Sequence, residues 1–286
     1  MDLNPGGHGP ADADVGHAAD AVRAPADFHY ASLYLPPQRR AAACALEAVR
    51  RAVTGIPAQC TDRGVAHLKL AWWEEEFARL ADGAARHPLS IALARHDAGP
   101  AALATLGTRL VHATIGELKD HRLPTRGAVL QHIAGVHEDC WSLLYGDSAP
   151  LSTRARHLAS LVELGYELRG LRLHRRGGTL YLATDVLAAH GLDTAQVREA
   201  TKTSELGTLA QNEIGWVHAG ITDALHALDA RERRRGRVLV TLARCALGAL
   251  AMTLADGCQV LERRIELLLV HKLWLAWRSH HLPGWH

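Results

Sequence analysis

The chain has 286 residues, 48% hydrophobic and 22% charged, with 32 Lys and Arg against 30 Asp and Glu for a formal net charge of +2. That composition is ordinary for a soluble globular protein and not for a disordered one, and so small a charge gives no basis for a nucleic-acid partner. The five cysteines, Cys44, Cys60, Cys140, Cys245 and Cys258, form no Cys-x-x-Cys pair, and their odd count argues for a reducing, cytoplasmic setting rather than a disulfide framework.

Residues 1–27 are rich in Gly, Pro, Ala, Asp and His and contain neither a basic n-region nor an apolar h-region. They read as a disordered tail without a secretory signal. From residue 28 to 280 apolar residues recur at helical spacing, as in the stripe Leu103, Leu106, Leu110, Val111, Ile115, Leu118, and again in Leu206, Leu209, Ile214, Val217, Ile221, Leu225, Leu228. No alternating strand pattern of comparable length occurs. Breaks at Pro36-Pro37, Gly55 to Pro57, Asp82-Gly83, His87-Pro88, Gly99-Pro100, Pro124, Gly146 to Pro150, Gly177-Gly178, Gly191 and Gly236 divide the chain into about eight to ten helices of roughly 8 to 20 residues. The expectation is one all-α domain over 28–280, followed by a short tail, 281–286.

Several clusters carry chemistry by residue type. Glu74, Glu75 and Glu76 follow Trp72-Trp73 and read as acids favoured early in a helix. Glu117, Asp120 and His121 stand at i, i+3 and i+4, the spacing of a metal site or acid/base pair, or of an exposed polar face. His137 to Cys140 is ligand-rich, but consecutive helical residues point in different directions, so it reads as a solvated stretch. Arg231 to Arg237 reads as a solvated interhelical loop. Val238 to Ala255 approaches the ~20 apolar residues of a bilayer span, yet Arg244 in its middle favours a buried core helix, with peripheral membrane contact as the alternative. No Walker loop, GxSxG elbow, GxGxxG turn or zinc-finger pattern is present.

The opening segment, Phe28-His-Tyr-Ala-Ser-Leu-Tyr-Leu-Pro-Pro37, running through Arg39-Arg40 and Ala45-Leu46 to Arg51-Ala-Val53, resembles the start of the squalene/phytoene synthase family. Lys69 to Leu80 with its tryptophan pair, followed by His87-Pro88, is similar to the family's second block. Ile133-Ala-Gly135, Tyr181-Leu182 with Asp185, Leu187, His190 and Gly191, then Leu261 to Ile265 and Lys272 to Trp274 extend the likeness over the folded region. The resemblance implies an isoprenoid-synthase-type helical barrel in which two farnesyl or geranylgeranyl diphosphates are joined head to head. It also implies two aspartate-rich motifs that hold Mg²⁺, and that Val53 to Ala58 and Gly170 to His174 face each other across a central cavity.

This sequence departs from the pattern at both motifs. Thr54, Gly55 and Ala58 stand at the first, and Gly170, Leu173 and His174 at the second, with Glu163 and Tyr166 where the family has glutamine and asparagine. Mg²⁺ requires hard oxygen ligands in octahedral geometry, which these side chains do not offer. Arg169, Arg172, His174, Arg175 and Arg176 invert the charge, either as a solvated basic turn or as a headgroup site, because guanidinium groups hold phosphate bidentately without metal. The implied substrate-binding residues are Tyr30, Arg51, Arg169, Arg172 and Tyr181, with no cofactor. A respiratory-complex assembly branch of the family has also lost its aspartates, and the Arg-rich turn before Tyr181 is similar to it. The expectation is a catalytically degenerate protein, cytoplasmic with room for membrane association, that binds a prenyl diphosphate or other isoprenoid lipid or acts with a protein partner. The alternative is an active prenyltransferase with Mg²⁺ on noncanonical ligands such as Glu117, Asp120 or Glu163.

Overall fold

The computed structural model describes residues 26–119, 121–145, 150–175, 177–200 and 203–282. Among these are 15 helices, more than the eight to ten expected, and no strand, so the all-α class is as the helical periodicity leads one to expect. Eight are long: α2 (Pro37–Thr54), α4 (Arg63–Ala81), α6 (Pro100–Gly116), α7 (Arg126–Tyr145), α8 (Thr153–Arg169), α12 (Thr203–Ala227), α14 (Arg237–Ala255) and α15 (Leu269–His281). Seven short ones join or flank them: α1 (Ala26–Ala31), α3 (Ile56–Gln59), α5 (Pro88–Leu93), α9 (Leu171–His174), α10 (Thr184–Ala189), α11 (Thr194–Glu199) and α13 (Ala230–Arg235). The expected tails lie outside the described residues, except that Ala26 and Asp27 open α1, His281 closes α15 and Leu282 is its C-cap.

The boundaries follow local chemistry. Pro37, Pro88 and Pro100 sit in the first turn of α2, α5 and α6, where a missing N–H costs nothing. Asp62 and Ser152 cap α4 and α8 by accepting from backbone N–H groups of the first turn. Asp229 with Glu232 forms a capping box, so Arg231 to Arg235 belong to the short helix α13 and not to a loop as expected.

The packing runs α4 on α6, α6 on α7, α7 on α8, α8 on α12 and α12 on α14, with α2 against α6 and α7. One core cluster extends through these layers from Phe28, Leu46 and Phe77 to Trp141, Leu158, Val217 and Leu250. Helix α14 is the one described helix long and apolar enough to cross a membrane, with mean hydropathy 1.9 over its best window. More than half of that window is buried, against α1, α8, α12 and α15 among others, and Arg244 donates to Ser279 Oγ at 2.8 Å. It is the core helix that Arg244 suggested.

Glu76 corrects the reading of its acidic run. Helix α4 begins at Arg63, so the three glutamates lie in its second half, away from the favourable N-terminal dipole. Glu76 is buried and accepts from the backbone N–H groups of Arg86 and His87 at 2.8 and 2.7 Å, which ties the His87-Pro88 turn to the helix.

Candidate functional site

Helices α2 and α8 are joined by a buried ion cluster. Glu47 accepts from Arg50 Nε at 2.8 Å and from Arg51 Nε at 3.0 Å. Glu163 takes Arg51 bidentately, at 2.5 and 3.2 Å, and Arg50 Nη2 at 3.2 Å. Arg50 Nη1 reaches His137 Nδ1 on α7 at 3.1 Å. Burial opposes ionisation of Glu163, but the Arg50 and Arg51 charges outweigh it and hold the carboxyl far below the usual range. Two arginines thus face two glutamates, a balanced set in which removal of one member leaves an uncompensated buried charge. His137 is 4% exposed, and burial pushes its imidazole down to about 3. The expected solvated stretch is therefore split: His137 and Cys140 face the core, while Glu138 pairs with Arg156 and Asp139 with Arg109 at the surface. Spacing of 133, 137, 140, 141 and 144 on one helical face was the signal that could have found them.

Above this cluster opens a cavity of about 440 Å³ lined by Arg51, Thr54, Pro57, Ala58, Tyr166, Leu173, His174, Tyr181 and Arg264, among others. The segments at 53–58 and 170–174 do face each other across it. Gly177 and Gly178 close one rim. A Cβ on Gly177 would meet the Pro57 carbonyl oxygen at 2.2 Å, and Gly178 has φ +74°, so this close approach requires both glycines.

The Mg²⁺ implied by the resemblance does not fit these walls. Thr54 Oγ1 donates back to the Arg50 carbonyl at 2.9 Å, Ala58 and Leu173 have no ligand atom, and His174 is hydrogen-bonded to Glu167. Of the alternative ligands, Glu163 is held by Arg50 and Arg51, Asp120 lies outside the described residues, and Glu117 faces the imidazoles of His132 and His121 rather than the further oxygen ligands that Mg²⁺ requires. Glu117 is not on an exposed helix face: α6 ends at Gly116, and Glu117 is 5% exposed.

Of the five substrate-binding candidates, the structure brings Arg51 and Tyr181 to the cavity. Arg51 keeps 22% exposure of its side chain, and Tyr181 donates its hydroxyl to Glu117 Oε2 at 2.7 Å. Tyr30 lies on α1 edge-on to His29, outside the lining. Arg169 and Arg172 are also outside it: they donate to the Ile265 carbonyl at 2.8 Å and the Glu262 carbonyl at 2.7 Å. Those bonds brace the segment that carries Arg264. The guanidinium carbons of Arg264 and Arg51 both lie 4.0 Å from the centre of the Tyr166 ring. Arg264 and Tyr166 were missed because no local spacing connects them, whereas Glu47 lies at i,i+3 and i,i+4 from Arg50 and Arg51, a spacing that could have revealed that part of the cluster.

The squalene/phytoene synthase family profile matches residues 22–271. The fold is similar to that of a dehydrosqualene synthase solved in complex with ligand, with a TM-score of 0.66 at 14% identity, covering 97% of this chain and 100% of that one. It is also similar to squalene synthase HpnC from Alicyclobacillus acidocaldarius, with a TM-score of 0.55 at 17% identity, covering 87% of this chain and 97% of that one. No curated protein matches. A profile match over most of the length, on an all-α fold, establishes that the chain belongs to the squalene/phytoene synthase family.

Proposed function

We propose that this chain is a catalytically degenerate member of the family that binds an isoprenoid lipid by its diphosphate-type headgroup, with guanidinium groups in place of metal. The observation that carries the reading is the composition of the cavity walls. Thr54, Ala58, Leu173 and His174 stand where paired carboxylates would be needed, and Arg51 and Arg264 converge on Tyr166 at the same cavity. Loss of both metal clusters removes leaving-group stabilisation, and about 5 kcal/mol of it corresponds to several thousandfold in rate. Binding makes no such demand, because arginine forks hold phosphate oxygens directly. The cavity's 440 Å³ falls within the roughly 300–1,000 Å³ of small-molecule sites.

The test is calorimetry with farnesyl diphosphate and farnesol in EDTA. Binding of the diphosphate in the micromolar range, weakened at least about tenfold by Arg264→Gln with farnesol unaffected, is the expected result. Arg264 is chosen because its removal leaves the buried Glu47 and Glu163 paired. Absence of binding, or equal losses for the two ligands, contradicts the reading. The apolar outer face of α15, where Leu269, Val270, Leu273, Trp274 and Trp277 are exposed, adds peripheral membrane association to this reading, with an assembly role as the second reading if lipid does not cover that face.

A further inference from the structure

Glu117, His121 and His132 come from three different places: the C-cap of α6, the loop after it, and the middle of α7. Their donor atoms nevertheless all lie within 4.8 Å of one another. His132 Nε2 is 2.6 Å and His121 Nε2 4.0 Å from Glu117 Oε1, and the two imidazole rings are 4.6 Å apart. We propose that these three side chains form a binding site for a divalent transition metal of the zinc class.

Two imidazoles and one carboxylate are the donor set that borderline metals select, and three protein ligands leave a fourth position to water or an anion. Mg²⁺ prefers an all-oxygen shell, so this site does not substitute for the lost aspartates. Metal–ligand bonds near 2.0–2.1 Å place tetrahedral ligands roughly 3.3 Å apart, so His132 would recede from Glu117, and His121 approach it, by about 0.7 Å each. His121 Nε2 meanwhile gives up the Gly116 carbonyl, now at 2.8 Å.

The outer shell is already built. Tyr181 donates to Glu117 Oε2 and leaves Oε1 turned to the histidines, the kind of second contact that orients a ligating carboxylate. Metal binding here does not require the cavity to take a lipid, although Glu117 and Tyr181 line both.

The test titrates EDTA-stripped and dialysed full-length protein with Co²⁺, read by visible absorption, and with Zn²⁺, read by calorimetry. One equivalent should bind, with a tetrahedral-type Co²⁺ band and a rise in melting temperature. His132→Gln and His121→Gln should each weaken binding at least about 100-fold, and Tyr181→Phe, which removes only the outer hydrogen bond, about 10–100-fold. With 19 histidines in the chain, weak surface binding is the competing outcome. No Co²⁺ band in the wild type, or an affinity that neither histidine substitution changes in variants with wild-type circular dichroism, overturns the proposal.

Discussion

At His137 the hydrogen-bonding partner decides the protonation state. Arginine has no acceptor, so Arg50 Nη1 must donate and His137 Nδ1 must accept, which fixes the ring as neutral with its proton on Nε2. Arg50, Arg51, Glu47 and Glu163 surround it, and burial is the largest influence on the ring. Its folded pKa of about 3 lies below the ordinary 6.5, so the unfolded chain binds the extra proton first. The stability this group contributes is complete above pH 6.5 and is lost as pH falls toward 3. Between pH 6.5 and 5 the loss is on the order of 2 kcal/mol, from about 1.4 kcal/mol per pH unit. Urea unfolding should show that loss in the wild type and much less of it in His137→Gln, whose amide oxygen can accept from Arg50 without titrating. Identical pH profiles would contradict the assignment.

Helices announce themselves in sequence to the extent that they are long enough to show a period. The eight long ones follow from apolar spacing and from Pro and Gly punctuation, although α12 at 25 residues exceeds the expected length. The seven short ones have 4 to 6 residues, little more than a turn, and three of them start at a side-chain cap, at His87, Asp193 and Asp229. The lost carboxylates were legible because each sits in a recognisable frame. The ion cluster was not, since Glu47, Arg50 and Arg51 share a local spacing on α2 but only the packing of α2, α7 and α8 joins them to His137 and Glu163. Arg169 and Arg172 illustrate the same limit: their charge was visible, but their direction, toward the backbone of 262–265, is tertiary.

Helix α15 presents a surface whose role is open to direct measurement. Val270 is 70% exposed and Leu273 44%, beside Trp274 and Trp277, while Arg278 lies over Trp274. An apolar face with tryptophan and basic residues suits the lipid interface. The protein should therefore sediment with vesicles of phosphatidylcholine and phosphatidylglycerol. Val270→Glu with Leu273→Glu should weaken that binding at least about 100-fold, since each buried aliphatic side chain contributes about 1.5–3 kcal/mol. Failure of the wild type to sediment would redirect this face to a protein partner.

For the whole molecule, the chain has the family's all-α fold, and on the proposed reading the chemistry of the metal site has been replaced. The walls at 53–58 and 170–174 still meet across a cavity, and Gly177 still allows the chain to pass within reach of Pro57. What stands on those walls is a pair of arginines beside a tyrosine, with every nearby glutamate already bonded to a basic or hydroxyl partner. The most direct measurement is turnover: purified protein incubated with Mg²⁺ and farnesyl or geranylgeranyl diphosphate, with products resolved by mass spectrometry. A degenerate site should yield no squalene, phytoene or presqualene diphosphate above a protein-free control. Metal-dependent formation of any of these would contradict it and make the chain a working synthase.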